Sequence, residues 1–488
     1  MNLWKHFYVL IWICLIPFES HGKLDWFANE PMLPLHESAM NGLHQPSQST
    51  HLLNCQPRQI HLSIGKYAWS TMTISFTILR QCEHESIFLF YGSDLRQLRI
   101  HPIDPINRLQ YNYTSDIFPF YESGSIYHVE LTQLQPNQRY YYQILVSPSN
   151  EPNPRHRELL AHSSKTSILT FKTSPRIPKG TKMAIVADLG QTYHSTVTMF
   201  HMYKHSLSDD FGTPASIVLC AGDMSYADTN QKRWDHWFEL IEPLISQIPM
   251  QVAPGNHEIE CDENVFLPYE TRFHMPSQPP IIDHSASCDS NYTDTTYSYE
   301  YGNSYYAFTQ GLTRVIVLNS YASISPESKQ YHWLQHQLSN IQREKTPWIL
   351  VMVHVPLYNT FSAHQHENTT EYMLAMVEPL FLQYHVNLVI SGHAHGYSRS
   401  TNVAYGNYNA KAPIYITVGE GGNREHHSQS YRYSSPESWI IKRDITEYGF
   451  GTMEFLNNTY AEWKWIRNEN AASFQFTDQT MIRNQYYL

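Results

Sequence analysis

Between Met72 and Ile78 the apolar residues Met72, Ile74, Phe76 and Ile78 alternate with polar ones. That period of two belongs to a strand with one buried face. The runs IFLFYG, IYHVELTQL, RYYYQILVS and TSILTFKTS follow at turn-separated intervals. Several short strands without intervening helices predict a β-sandwich. From Met183 the pattern changes: MAIVAD, ASIVLCAGD, MQVAPGN, RVIVLNS, WILVMVH and VNLVISGH alternate with helix-like stretches at 231–247 and 327–345. These runs are continuous and rich in β-branched residues, as for strands covered on both faces of an α/β sheet. The organisation expected is a leader at 1–22, an irregular segment at 23–54, a sandwich at 55–174, a linker at 175–182 and an α/β domain at 183–488.

A chain of 488 residues with 42% hydrophobic residues and 35 tyrosines is globular and too long for one small core. Its net charge of -11 argues against nucleic acid as a partner, because phosphate backbones are held by surplus Lys and Arg. The first 22 residues hold an apolar run from Phe7 to Phe18 followed by Ser20 and Gly22. The run is shorter than a membrane span needs, so a signal peptide and no membrane anchor are expected. A secreted protein follows, and lysosomal delivery uses the same entry signal. Sequons begin at Asn112, Asn291, Asn368 and Asn457, which suits glycosylation. Once Cys14 is removed with the leader, an oxidising compartment favours Cys55–Cys82 and Cys261–Cys288, each pair within one domain, with Cys220 a buried free thiol.

In α/β sheets ligands gather beyond the carboxyl ends of the strands. Those ends carry Asp188, Asp223 with Tyr226, Asn256 with His257, His354, and His393 with His395. Singly, each has a structural explanation as a cap, a turn or a buried hydrogen-bonded group. Together, five strand ends supply only oxygen and imidazole donors, beside Gly190, Gly222, Gly255 and Gly392. That pattern points to a metal centre.

The blocks DLG, GDMSY, GNHE, VMVH and GHAH resemble the five blocks of the metallophosphoesterases, and the tyrosine of GDMSY narrows the resemblance to the purple acid phosphatases. The resemblance covers about 56 to 470, with APIYITVGEGGN and YAEWKWIRNEN similar to that family's closing segments. The motif Leu134-x-Pro136-x-x-x-Tyr140 looks like the tyrosine corner of a fibronectin type III domain. The fold implied is an N-terminal fibronectin type III-like β-sandwich followed by a metallophosphoesterase α/β sandwich. The resemblance implies that Asp188, Asp223, Tyr226 and His395 hold Fe(III), with Asp223 bridging to a second divalent metal (Zn, Mn or Fe(II)) on Asn256, His354 and His393. A phenolate is a hard anionic donor suited to ferric iron. The activity implied is acid hydrolysis of small phosphate monoesters by metal-hydroxide attack on phosphorus, and a homodimer is an expectation drawn from large relatives.

His257 and His364 are the candidate proton donors. Related enzymes carry a histidine pair nine and ten residues after the V-x-x-H histidine; here those positions are Ala363 and His364, with His366 beyond. Glu258 is expected to orient a ligand, and Arg399 to touch substrate or sit in a surface ion pair. Two rival readings are a divalent-metal phosphodiesterase or nucleotide hydrolase of the same superfamily, and a secreted binding protein with a remnant site. Tyr226 argues against the first and the complete donor set against the second.

Overall fold

The computed structural model describes residues 55–487 apart from 116–117, 148–163, 177–179, 209–212, 261–264, 277–298 and 470–475. The leader, the Asn291 sequon and the Cys261–Cys288 pair lie outside the described residues. Among the described residues, no helix is long and apolar enough to cross a membrane.

The alternating segments form two antiparallel sheets. One orders the strands Arg58–Ser63, Met72–Ile78 and Ser125–Leu131; the other pairs Leu169–Lys172, Arg139–Ser147, Ser86–Gly92 and Arg99–Ile103. Their inward residues, among them Ile74, Phe76, Leu89, Tyr142 and Phe171, make one core. Cys55 and Cys82 are disulfide-bonded at its edge, and Cys220 is a buried free thiol. The Tyr140 hydroxyl accepts from the Gln135 N–H at 2.8 Å, the tie of a tyrosine corner.

The continuous apolar runs form two further sheets. In the first, Met250–Val252, Ile217–Cys220 and Thr181–Val186 run parallel, then Gly449–Phe455, Tyr460–Arg467 and Asp478–Arg483 continue antiparallel. In the second, Thr313–Val317, Trp348–Met352, Leu388–Ser391 and Ile414–Val418 are parallel neighbours. Side chains of both sheets share one core. Consequently the carboxyl ends of five parallel strands, three from one sheet and two from the other, deliver Asp188, Asp223, Asn256, His354 and His393 to one place.

Helix Lys232–Ile245 buries Trp234, Trp237, Phe238, Ile241, Leu244 and Ile245, the i, i+3, i+4, i+7 spacing of one helical face. Its other face meets the sandwich, where Glu242 accepts the Ile60 N–H at 3.2 Å and Asp235 accepts from Gln59 at 3.0 Å. Helix Tyr193–Leu207, just after the Asp188 turn, begins with a capping box of Thr192 and Ser195.

Candidate metal centre

The strand ends cross sharply. Asp188, Asp223, Tyr226 and His393 all have positive φ, between 52° and 66°, a region that non-glycine residues enter at a cost and that concentrates at functional sites. The cost is borne because the surrounding loops are held. Buried Glu258 accepts three backbone N–H groups, from Asp223 at 2.8 Å and from Met224 and Gly255 at 2.9 Å. It therefore clamps the GDMSY turn to the GNHE turn and so holds the backbone that presents Asp223. Burial, and then the Asp223 charge, pushes the Glu258 carboxyl up to about 7.

The seven expected ligands come together as two adjoining groups. On one side the Tyr226 hydroxyl lies 3.1 Å from His395 Nε2 and 3.3 Å from Asp188 Oδ1. On the other, Asn256 Oδ1 lies 2.9 Å from His393 Nδ1 and 3.1 Å from His354 Nε2, while His354 Nε2 is also 3.1 Å from Asp223 Oδ2. The His393 N–H donates to both Asp188 oxygens, at 3.0 and 2.9 Å, and so joins the groups. Asp223, His354 and His393 form a cluster with metal-binding spacing.

Each imidazole has its second nitrogen committed. His354 Nδ1 donates to the Ala221 carbonyl at 2.7 Å and His395 Nδ1 to the His426 carbonyl at 2.9 Å. His393 Nε2 meets both oxygens of Glu367, at 3.1 and 3.3 Å. Such outer partners fix the tautomer and aim the free lone pair. Burial lowers His393 to about 4, and the neutral ring, its Nε2 held by Glu367, turns its Nδ1 lone pair toward the Asn256 oxygen, an arrangement that a cation reconciles. The Tyr226 phenol gives the same answer, since burial and then the Asp188 and Asp223 charges raise it well above its usual value. It becomes a phenolate only where a cation replaces its proton. Space agrees: a Cβ at Gly222 would collide with the His354 ring, and one at Gly255 with the Asp223 carboxylate. The residues present thus fit a two-cation site.

The two candidate donors flank this centre. The His257 ring lies over Tyr226 at 4.1 Å between centroids, with Nδ1 2.6 Å from Asp228 Oδ1 and Nε2 3.4 Å from Glu425 Oε1. Burial opposes its charge, yet Asp228 and then Asp223 hold it protonated well above the usual histidine range. His364 packs on His393 at 3.8 Å, and its Nδ1 meets Glu367 at 2.7 Å. His366, beyond it, is instead exposed and meets Glu371 at 3.0 Å.

Arg399 departs from both expected readings. It is buried and makes a bidentate pair with Asp478, at 2.7 and 2.9 Å, beside Tyr397. Its strand, Tyr397–Ala404, leaves the centre after His395 and enters the core, so a residue four positions after a ligand faces inward. Four residues that the sequence did not single out stand around the ligands: Glu367, Asp228, Glu425 and Arg424, the last pairing with Asp228 and donating to the Tyr226 carbonyl at 2.8 Å. Their one sequence signal is adjacency: Asp228 follows GDMSY by two residues, and Glu367 follows His366 directly.

Comparison with known proteins supplies the family. A family described as calcineurin-like phosphoesterase matches residues 181–397, an iron/zinc purple acid phosphatase-like protein C family matches 412–475, and a purple acid phosphatase N-terminal domain matches 57–173. Purple acid phosphatase 22 of Arabidopsis thaliana is 32% identical over 475 residues, covering 96% of this chain and 92% of that protein. Phosphoenolpyruvate phosphatase of Allium cepa is 30% identical, covering 88% and 82%. The Fe(3+)-Zn(2+) purple acid phosphatase 12 of Arabidopsis thaliana is 28% identical, covering 88% and 85%. The solved structure of purple acid phosphatase PPD1 from yellow lupin (Lupinus luteus) seeds superposes with a TM-score of 0.70 at 19% identity, covering 89% of this chain and 75% of that one.

Proposed function

This chain belongs to the purple acid phosphatases, and from that premise we infer that it hydrolyses small phosphate monoesters at a binuclear centre of iron and a second divalent metal. The observation that carries the reading is the Tyr226 phenol set between Asp188 and His395, because that donor suits ferric iron and has no purpose in a site of two divalent ions. Asp188, Asp223, Tyr226 and His395 would hold the iron, and Asp223, Asn256, His354 and His393 the divalent ion. When bound, the two cations neutralise the ester's charge and acidify water.

The chain's own residues do the rest. Ala221, His426 and Glu367 hold the three imidazoles in the orientation binding needs. A departing alkoxide takes a proton from an imidazole. The His257 imidazolium is held by Asp228, with 14% of its side chain exposed, whereas His364 is 32% exposed. His364 is the better placed to meet a leaving group that opens to solvent. Its Nδ1 is committed to Glu367, so the proton leaves from Nε2.

The mature protein is assigned to the secretory route, a reading supported by the Phe7–Phe18 run and by the exposed side chains of the sequon residues Asn112, Asn368 and Asn457. The activity is tested on purified protein of known metal content with p-nitrophenyl phosphate and bis(p-nitrophenyl) phosphate at acid pH. Turnover of the monoester and not of the diester is expected. Preference for the diester by a protein holding two divalent ions and no iron would overturn the reading.

A further inference from the structure

The two segments that carry Asp223, Tyr226 and Asn256 run on from the metal centre into the β-sandwich. After Tyr226 and Asp228 the first turns through Thr229, at φ 71°, to the buried Gln231. After Asn256, His257 and Glu258 the second reaches the buried Glu260. Glu260 joins them, accepting the Thr229 N–H on Oε2 at 2.9 Å and Gln231 Nε2 on Oε1 at 2.8 Å. The remaining donor comes from the sandwich: the Tyr113 hydroxyl, 3.0 Å from Glu260 Oε2. Beside it the Tyr111 hydroxyl donates to Gln231 Oε1 at 3.0 Å and accepts from Arg272 Nε at 2.9 Å.

Arg272 Nε can only donate, so the direction of this buried chain is fixed from Arg272 through Tyr111 and Gln231 to Glu260. A fully satisfied buried network specifies one arrangement, while a partly satisfied one is costly. The sandwich could have docked through the Arg58–Ser63 strand and helix Lys232–Ile245 alone. Tyr111 and Tyr113 instead meet residues that shortly follow the GDMSY and GNHE blocks.

We propose that the N-terminal sandwich is a working part of the active site: through Tyr113 and Tyr111 acting on Glu260 and Gln231, it positions the turn that carries Tyr226 and Asp228, and through Asp228 the imidazole of His257. Glu260 is thus a positioning residue. The inference rests on the phosphatase reading for its kinetic consequence and on the structure alone for its effect at Tyr226.

The test is a double-mutant cycle of Tyr113→Phe and Glu260→Gln in the full chain, with metal content, kcat, KM and the visible tyrosinate-to-iron band recorded for each. The first substitution keeps the ring and removes only the hydroxyl, and the second leaves one acceptor oxygen for three donors. Each single variant is expected to keep its metals, to lose about tenfold in kcat with KM nearly unchanged, and to shift the band, as outer-shell changes do. The double variant is expected to be no worse than Glu260→Gln alone. Tyr142→Phe, which cuts a sandwich contact to the Ser246 carbonyl remote from the centre, is expected to keep the wild-type kcat and band. The proposal is overturned by wild-type kcat and band in the single variants, by losses that multiply in the double, or by an equal loss in Tyr142→Phe. A wild type that holds iron but does not hydrolyse phosphate monoesters would overturn the functional reading instead, and the band shifts would then decide the positioning on their own.

Discussion

An imidazole binds a metal well when its other nitrogen is already spoken for, and here Ala221, His426 and Glu367 do that for His354, His395 and His393. The same test separates two neighbours that looked alike in the sequence. His364 stacks on His393, while His366 faces solvent beside Glu371. His364→Ala is therefore expected to lower kcat by about 10²-fold, the scale of a lost general acid, with His366→Ala close to wild type; steady-state kinetics on the two variants decides. Equal losses would mean that the loop and not the ring matters. Asp228→Asn is expected to weaken the hold on the His257 charge and to lower kcat while metal content stays full, read by kinetics beside metal analysis. The expected residues that gather at the centre were legible because they end an apolar run or follow its end within a few residues. Glu367, Asp228, Glu425 and Arg424 were not, because they reach the centre from loops that have no period. Arg399 misled for the opposite reason, since proximity to His395 in sequence carried no information about the direction of its strand.

At the scale of elements, the centre is made by turns that only certain residues permit. Gly255 has ordinary backbone angles, yet any Cβ there would strike the Asp223 carboxylate, and Gly222 combines φ of 94° with the His354 ring close behind it. Gly255→Ala is expected to fold, with unchanged far-ultraviolet circular dichroism, but to lose most of its metal by elemental analysis. Full metal content in that variant would contradict the packing argument. Strands and helices were largely legible: the predicted helix at 231–247 is Lys232–Ile245, and the period-two runs are sandwich strands. What the pattern could not supply was the pairing of strands into two sheets, because the parallel runs are apolar on both faces. Nor could it supply the contacts of Tyr111 and Tyr113, whose short strand Asn112–Tyr113 has no pattern of its own.

For the whole molecule, buried carboxyl groups away from the metals set the pH of greatest stability. Burial pushes Glu242 and Glu270 up to about 7, from an ordinary value of 4.5. Folding thus favours their protonated form, so their contribution is complete below about pH 4.5 and is lost as pH rises through 7. His61 and His128, which burial lowers to about 4 and about 3, act in the other direction: their contribution is complete above about pH 6.5 and is lost as pH falls through those values. The melting temperature is expected to peak in mildly acid solution and to fall toward alkaline pH, with Glu242→Gln flattening the alkaline side; a maximum above neutrality would contradict this. An acid-stable shell suits the central claim, that Tyr226 marks a ferric–divalent phosphatase centre. That claim is tested most directly by the visible absorption spectrum of the purified protein beside Tyr226→Phe, with metals determined on both. A purple charge-transfer band in the wild type that vanishes in the variant is the predicted result, whereas a colourless wild type holding two divalent ions and no iron would contradict it.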